Sequence, residues 1–501
     1  MTGSAELLPV LIVGATLLSA AAIFPLRDDQ VRLRAAVCLA GPAATLALVG
    51  ALIAGVRSGA RYEARFPFLP GDDLLLQADA LSVLFVALSS ALWLVTTVYA
   101  LGYMRHGPNR SRFFGFFALC VSATMGVALA GNMITFLVFY ETLTLATYPL
   151  VVHKGDAATL RAGRTYLIYT LSGGAMVFLG TMLLHALQGA GGFEVGGLLA
   201  QAETRPSDAA LRLLFAILIA GVGVKAALAP LHGWLPLAMV APAPVSALLH
   251  AVAVVKAGAF GVVRVVYDVF GVTLADALGV LPWLGAAAAI TIVWGSVLAL
   301  GQDDLKRRLA YSTVSQVSYI ALGASLAHPA AAVGAILHLI HQGIMKITLF
   351  FCAGAFAEVE GVKTVSRMAG LGRRMPWTMA AFTVAALGMI GVPPTAGFVT
   401  KWYLAIGALE ADGAWVVAVL LISSGLNAAY FLPIVGAAWF RPPPDDMVRP
   451  EPPPRLSVAL MAVSPVVTAL LVMAAALLAT SIFSPLGWAQ ALALREFGFE
   501  R

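Results

Sequence analysis

The chain has 501 residues, of which 60% are hydrophobic and 11% charged, with 31 Lys plus Arg against 25 Asp plus Glu and a net charge of +6. That balance excludes an ordinary soluble globular protein. Apolar runs of about 20 residues, each enough to cross a bilayer of about 30 Å, recur from end to end and define a membrane protein instead.

In chain order the runs predict about fourteen spans, near 5–25, 33–56, 79–102, 112–130, 132–152, 164–187, 211–233, 244–268, 272–299, 309–326, 330–357, 376–409, 413–440 and 456–484. The first has no Lys or Arg ahead of it and meets Arg27 and Asp28 directly after it, so it reads as a retained helix and not as a cleaved signal. The fifth, with TFLVFYETLTLATYPLV, carries Glu141 more than a turn from either end. The seventh and twelfth are interrupted. Pro230, Gly233 and Pro236 follow shortly after Lys225, and Gly391, Pro393, Pro394 and Gly397 come shortly before Lys401. Proline removes a donor and clashes with the preceding turn, so each helix should break near the middle of the membrane. In the eleventh, His338, Gln342 and Lys346 fall at i, i+4 and i+8 and form one polar stripe.

Interrupted spans in corresponding places, each beside a lysine, are the sequence sign of an inverted repeat with its site near the midplane. The expected architecture is an all-α polytopic membrane protein forming one domain, residues 1–501. Spans four to eight (about 112–268) and nine to thirteen (about 272–440) would be the two inverted five-helix repeats, with helices at 1–102 and 456–484 peripheral. Cys38, Cys120 and Cys352 lie far apart inside apolar spans and read as small packing groups, not as a disulfide or metal set.

Assigning loops alternately to the two sides puts 19 Lys and Arg on one side (27, 32, 34, 105, 110, 112, 154, 161, 164, 306, 307, 308, 363, 367, 373, 374, 441, 449 and 455) and 7 on the other (57, 61, 65, 205, 212, 495 and 501). This positive-inside bias places both termini outside a bacterial-type cytoplasmic membrane, and the basic excess reports topology rather than a nucleic-acid partner.

Lys225, Lys256, Arg264, Lys346 and Lys401 remain inside the spans, with Glu141 the one deep acid and Asp79 and Asp268 near span ends. A charge at the bilayer centre costs at least about 2.5–3.5 kcal/mol, so residues kept there mark an ion pathway. Arg264, near a helix end, is expected to snorkel to the interface. Asp79 fits either a helix N-cap or a relay member. Glu141 and Lys225 could form a static pair, but such a pair is often no more stable than its apolar replacement, which favours a functional reading. A mobile proton needs groups whose charged and neutral forms lie close in energy, and several buried groups near one another titrate as a coupled set. Histidine supplies intermediate steps. His250 precedes Lys256 by six residues, about 9 Å along a helix axis, within reach of one or two bridging waters. His232, in the first interrupted segment, joins the candidates, whereas His106, His153 and His328 are loop residues with no assigned role.

With these features assembled, the chain resembles the antiporter-like subunits shared by Mrp-type cation/proton antiporters, respiratory complex I (NADH-quinone oxidoreductase subunits L, M and N) and related membrane hydrogenases. The resemblance spans helices two to thirteen and rests on ADALSVLF (78–85), FLVFYETLTLATYPLV (136–151), GVKAALAPLHGWLPLAMVAPAPVSALLHAVAVVKAGAFGVVR (223–264), DDLKRRLAYSTVSQVSYI (303–320), MKITLFFCAGAF (345–356) and GVPPTAGFVTKWYL (391–404). It implies fourteen helices, two inverted repeats and a chain of polar groups across the membrane. Within that chain Glu141 would be the helix-five glutamate, Lys225 its partner, Lys256 the central lysine with His250 near it, Lys346 the helix-eleven lysine and Lys401 the outlet group. One departure is Gln342, where many relatives carry histidine, with His341 beside it. Glutamine orients water but takes up no proton near neutral pH, so passage there would fall to water, His338 or His341. His341 lies about 140° round the helix from Lys346, Gln342 only about 40°.

The resemblance implies a proton-translocating subunit of a multi-subunit membrane complex that moves H+ in exchange for Na+ or K+. Residues 345–356 look most like the D-type subunit of Mrp antiporters, and Lys401 in place of glutamate argues against the M type of complex I. The chain stops soon after helix fourteen, without the long lateral helix of the largest complex I relative. A redox-driven complex I or hydrogenase subunit is the alternative; a stand-alone organic-solute transporter and a transport-inactive scaffold are the others. No glycine-rich phosphate loop or cysteine cluster is present, so no cofactor is expected and any redox chemistry would belong to partner subunits.

Overall fold

Apolar runs without water to bond their backbone close their own hydrogen bonds, and these do so as helices. The computed structural model describes residues 7–69, 71–105, 107–202, 205–444, 450–451, 453–481 and 484–498. His106, Arg449, Arg501, residues 5–6 of the first expected span and residues 482–483 of the last lie outside the described residues. The chain opens with α1 (Leu8–Ile23) and α2 (Val31–Arg57), then a hairpin of β1 (Tyr62–Leu69) and β2 (Asp72–Ala78), then α3 (Ala80–Tyr103), α4 (Arg110–Ala128), α5 (Met133–Val151) and α6 (Ala157–Gln188). The middle holds α7 (Asp208–Lys225), the short α8 (Trp234–Leu237), α9 (Ala243–Ala251), α10 (Val254–Arg264), α11 (Val272–Ala277), α12 (Leu281–Leu300), α13 (Leu305–Ala324) and α14 (Pro329–Glu360). The last part comprises α15 (Leu371–Arg374), α16 (Pro376–Ile390), α17 (Ala396–Glu410), α18 (Ala414–Phe440), α19 (Arg455–Leu477) and α20 (Pro485–Glu496).

Ten helical stretches among the described residues are long and apolar enough to cross a bilayer. This is a multi-pass helical membrane protein. The 32-residue α14 is its hub, packed against α3, α9, α13, α16, α17, α19 and α20. Loops meet in two sets. On one side Arg110 donates to Asp28 O (2.6 Å), Leu305 N to Lys363 O (3.0 Å) and Lys306 Nζ to Ala241 O (2.6 Å). On the other, Phe193 N reaches Gly131 O (2.7 Å), Leu198 N reaches Asp268 O (2.9 Å) and Arg212 Nε reaches Leu278 O (3.0 Å).

Both interruptions are present. α7 ends at Lys225, before its prolines, because Ala227 takes a left-handed φ of +58° that no helix continues. The freed groups find partners: Trp234 Nε1 donates to Val224 O (2.8 Å), and Thr291 Oγ1 accepts from Ala229 N (3.0 Å). The second break separates α16 from α17 across Gly391–Thr395.

The expected span at 244–268 is present as one membrane-length stretch, Ala243–Phe270, but it is not one straight helix. Its helix breaks at Val252–Ala253, where Val252 N closes α9 on Leu248 O (3.1 Å) and Ala253 N turns back to the same oxygen (2.9 Å), so His250 and Lys256 do not lie along one helix axis. AVAVV contains no Pro or Gly; the break is tertiary, with the Ala251 carbonyl seated against Gly343 of α14, where a Cβ would come within 2.9 Å. Beyond Arg264 the helix widens into a six-residue π-helical turn, Val265–Phe270. The hairpin is new, and so is α20, whose Glu496 accepts from Gly196 N (3.1 Å).

Candidate functional site

Glu141 stands in the middle of α5, where Gly174 of α6 faces it closely enough that a Cβ there would occupy the carboxylate's space. Its Oε1 is buried without a hydrogen-bond partner among the described residues. Lys225, the last residue of α7 and wholly enclosed, closes no ion pair with it but donates to the carbonyl of Tyr140, the residue before it. The same ammonium lies 3.2 Å from the centroid of the Tyr140 ring, whose hydroxyl donates to Gly221 O (3.1 Å). The carboxylate and ammonium therefore feel each other without being locked, which the static pair would require. Gly174→Ala is expected to push the carboxylate aside and lower coupled H+ flux about tenfold or more in an assembled complex, measured with a pH dye in proteoliposomes.

Lys256, two residues before the Gly258 that α10 lays directly on the Lys225–Ala226 backbone, is 0% exposed and has no partner for its Nζ among the described residues. His250 stacks on Phe350 (4.4 Å) with Nε2 3.3 Å from Met239 Sδ, and its Nδ1 is unpartnered. On α14, His338 stacks on Tyr319 of α13 (5.0 Å) with both ring nitrogens unpartnered, and the Gln342 amide is likewise unpartnered. His341 points away from that stripe, its Nδ1 2.9 Å from Thr400 Oγ1 of α17. His338 lies within electrostatic reach of Lys256, Lys401 and His341, and His250 within reach of Lys346. Buried polar atoms are bonded to something, so this string of orphaned nitrogens and oxygens calls for water among them.

Lys346 is satisfied by α13: its Nζ donates to Ser312 Oγ (2.7 Å) and Leu309 O (3.2 Å). Lys401 reaches back across the second break to the carbonyls of Met389 (3.1 Å) and Ile390 (2.7 Å), the C-terminal end of α16, where a cation is favoured, and to Ser424 Oγ of α18 (2.8 Å). His232 is half-buried near Tyr311, with ring centroids 6.4 Å apart and Nδ1 unpartnered.

Two sequence expectations change at the other end of α10. Arg264 does not snorkel. It is 1% exposed, with Nη1 on Asp79 and on Asp268 (3.1 Å) and Nη2 on Ser82 Oγ (2.9 Å), because two carboxylates come to it and make the surface unnecessary. Asp79 serves as N-cap of α3, accepting from Ser82 N (2.7 Å), and as ion partner at once. Sequence reasoning misses Ser312, Thr400, Ser424, Asn427 and Tyr430. The spacing of the last three along an apolar helix, 424, 427 and 430, is the available signal. Among the described residues no group of three or more His, Cys, Asp or Glu is placed to hold a metal.

A helical bundle whose Pro- and Gly-marked breaks each lie beside a lysine, Lys225 and Lys401, has the layout of an ion-conducting membrane subunit. Residues 130–427, more than half the chain, match the family model described as NADH:quinone oxidoreductase/Mrp antiporter, TM, and residues 73–114 match NADH-Ubiquinone oxidoreductase (complex I), chain 5 N-terminus. The chain belongs to this family of antiporter-like membrane subunits. It is 38% identical over 384 residues to NADH-quinone oxidoreductase subunit N of Desulforudis audaxviator (strain MP104C), covering 75% of each chain. It is 27% identical over 358 residues to the D subunit of the Na(+)/H(+) antiporter of Bacillus subtilis (strain 168), covering 71% of each. A chain of the Mrp complex from Dietzia sp. DQ12-45-1b shares its fold with a TM-score of 0.86 at 22% identity, over 99% of this chain and 98% of that one.

Proposed function

We propose that this chain is the proton-translocating, D-type subunit of a multi-subunit Mrp-like cation/proton antiporter, passing H+ along Glu141, Lys225, Lys256, Lys346 and Lys401 with His250, His338, His341 and intervening water. The observation that supports the reading is Lys256: a lysine sealed in the protein with no anionic or hydrogen-bonding partner among the described residues makes no structural contact that would offset its burial, which favours a group kept there to take up and release a proton. Counting each interrupted helix as one crossing gives about fourteen crossings, with inverted repeats at about 112–268 and 272–440 and breaks in the seventh and twelfth. The basic face is then cytoplasmic and both termini lie outside the inner membrane. Other membrane subunits of the complex are the partners, and Na+ or K+ the exchanged ion.

The higher identity to a complex I subunit N supports a second reading, in which redox chemistry in partner chains drives the same proton line. One experiment separates them. The complex is purified from native membranes, its partners are identified, and it is reconstituted into vesicles containing a pH dye. The antiporter reading requires a pH change on adding Na+ or K+; a response only to NADH and quinone replaces it with the redox-driven one. An organic-solute carrier is disfavoured because the lysines sit in packed contacts, away from the 790 Å³ cavity walled by Tyr103, His153, Lys154 and Glu358.

A further inference from the structure

Gln342 interrupts the line of titratable groups on α14, yet Lys346 and Lys401 are joined by another route. From Lys346 the contacts run to Ser312 Oγ (2.7 Å), then to the Tyr430 hydroxyl (2.8 Å), then to Asn427 Oδ1. The other end of that amide, Nδ2, donates to Met389 O (3.0 Å), the carbonyl that also accepts from Lys401 Nζ (3.1 Å). Ser312 and Asn427 are 0% exposed, as is Tyr430, and Arg308 pins the α18 backbone to the start of α13 by donating to Tyr430 O (3.1 Å).

The hydrogen positions on this line follow from chemistry. The Met389 carbonyl only accepts, so Asn427 must turn its NH2 toward it and its oxygen toward Tyr430. An amide oxygen only accepts, so Tyr430 donates to it; its single phenolic hydrogen cannot also serve Ser312, which therefore donates to Tyr430. The Ser312 oxygen is then free to accept from the Lys346 ammonium, which only donates. All three links point one way, from Lys346 toward Lys401.

We propose that Ser312 and Tyr430 form a hydroxyl relay carrying protons from Lys346 toward Lys401 around Gln342, with Asn427 as the positioning residue that sets its direction; this rests on the proton-translocating reading above. In each passage Lys346 releases a proton to Ser312 Oγ while the Ser312 hydrogen moves to Tyr430 Oη. The phenolic hydrogen of Tyr430 turns from Asn427 Oδ1 to a water molecule and passes to it as that water gives one of its own protons to the neutral amine of Lys401. Rotation of the two hydroxyls restores the starting arrangement.

The test uses the assembled complex in proteoliposomes, with H+ flux as the readout and size-exclusion elution as the check on assembly. Tyr430→Phe keeps the ring and removes the hydroxyl, and is expected to lower H+ flux on the order of 10²-fold. Ser312→Ala should do the same, and it carries the test if the Tyr430 variant does not assemble. Adding Gln342→His to Tyr430→Phe supplies a titratable group on the α14 stripe and should restore most of the flux, which a packing defect at Tyr430 would not allow. Wild-type flux in Tyr430→Phe or Ser312→Ala, beside an inactive Lys346→Ala, would overturn the relay, as would a loss that Gln342→His leaves unrelieved. If Lys346→Ala itself transports normally, the proton-translocating reading fails instead.

Discussion

Alanine at position 225 is expected to abolish coupling between the pH gradient and cation movement, lowering H+ flux at least about 100-fold in a complex that still assembles. The ammonium sits at the end of α7, over the Tyr140 ring and on the Tyr140 carbonyl, one residue from Glu141. It acts electrostatically on a carboxylate that otherwise has Gly174 before it and an unpartnered oxygen. Without it, the Glu141 carboxylate loses the one cation shown to act on it among the described residues. Lys225→Arg sharpens the test. It keeps the positive charge but holds its proton at any working pH, so it should be as inactive as alanine if the lysine must discharge, and active if only a fixed charge is needed. Dye-reported flux in vesicles, normalised to assembled complex, decides. Unchanged flux in Lys225→Ala with normal assembly would favour a scaffold that no longer transports.

The residues legible in the sequence are those whose cost is visible there. A lysine or glutamate inside an apolar run stands out because hydrocarbon penalises it. Glu141, Lys225, Lys256, Lys346 and Lys401 can therefore be picked out, as can the interruptions beside Lys225 and Lys401, since Pro and Gly have meanings independent of their neighbours. Hydroxyl and amide side chains do not stand out. Most membrane hydroxyls bond their own helix, as Thr96 does to Leu92 O (2.6 Å) and Thr170 to Tyr166 O (2.7 Å), so Ser312 and Tyr430 look like others of their kind until α13 and α18 are placed side by side. The break at Val252–Ala253 has no local cause to read, because it depends on Gly343 of another helix. The hairpin is legible in principle: Pro70–Gly71 is a turn signal, and Gly71 takes a φ of +88°. The long apolar runs on either side mask it. Arg264 misleads for the same reason as the break, since a helix end invites snorkelling only when no carboxylate arrives from elsewhere.

Arg264→Ala is expected to destabilise the protein by about 3–5 kcal/mol, seen as a lower melting temperature and a smaller assembled fraction, because it leaves two carboxylates, one of them the buried Asp268, without the cation that joins them. Asp79 arrives as the N-cap of α3 and Asp268 from the π-helical turn, and the guanidinium that joins them is flanked by Phe193 and Phe260, each 5.0 Å away. Lysine does not substitute, since a single ammonium cannot bond Asp79, Asp268 and Ser82 with the fixed fork that arginine offers. The cause of the loss can be isolated. Arg264→Met combined with Asp79→Asn and Asp268→Asn removes all three charges while asparagine retains the N-cap of α3, and well-packed neutral replacements of buried ion clusters are often no less stable than the original. The triple variant should therefore melt well above Arg264→Ala. If both melt equally low, the damage comes from lost packing against Phe193 and Phe260 and the uncompensated-charge account is wrong. Because this cluster sits at the far end of α10 from Lys256, the triple variant is also expected to retain H+ flux, which separates the ion pairs that hold the bundle together from the lysines proposed to carry protons through it.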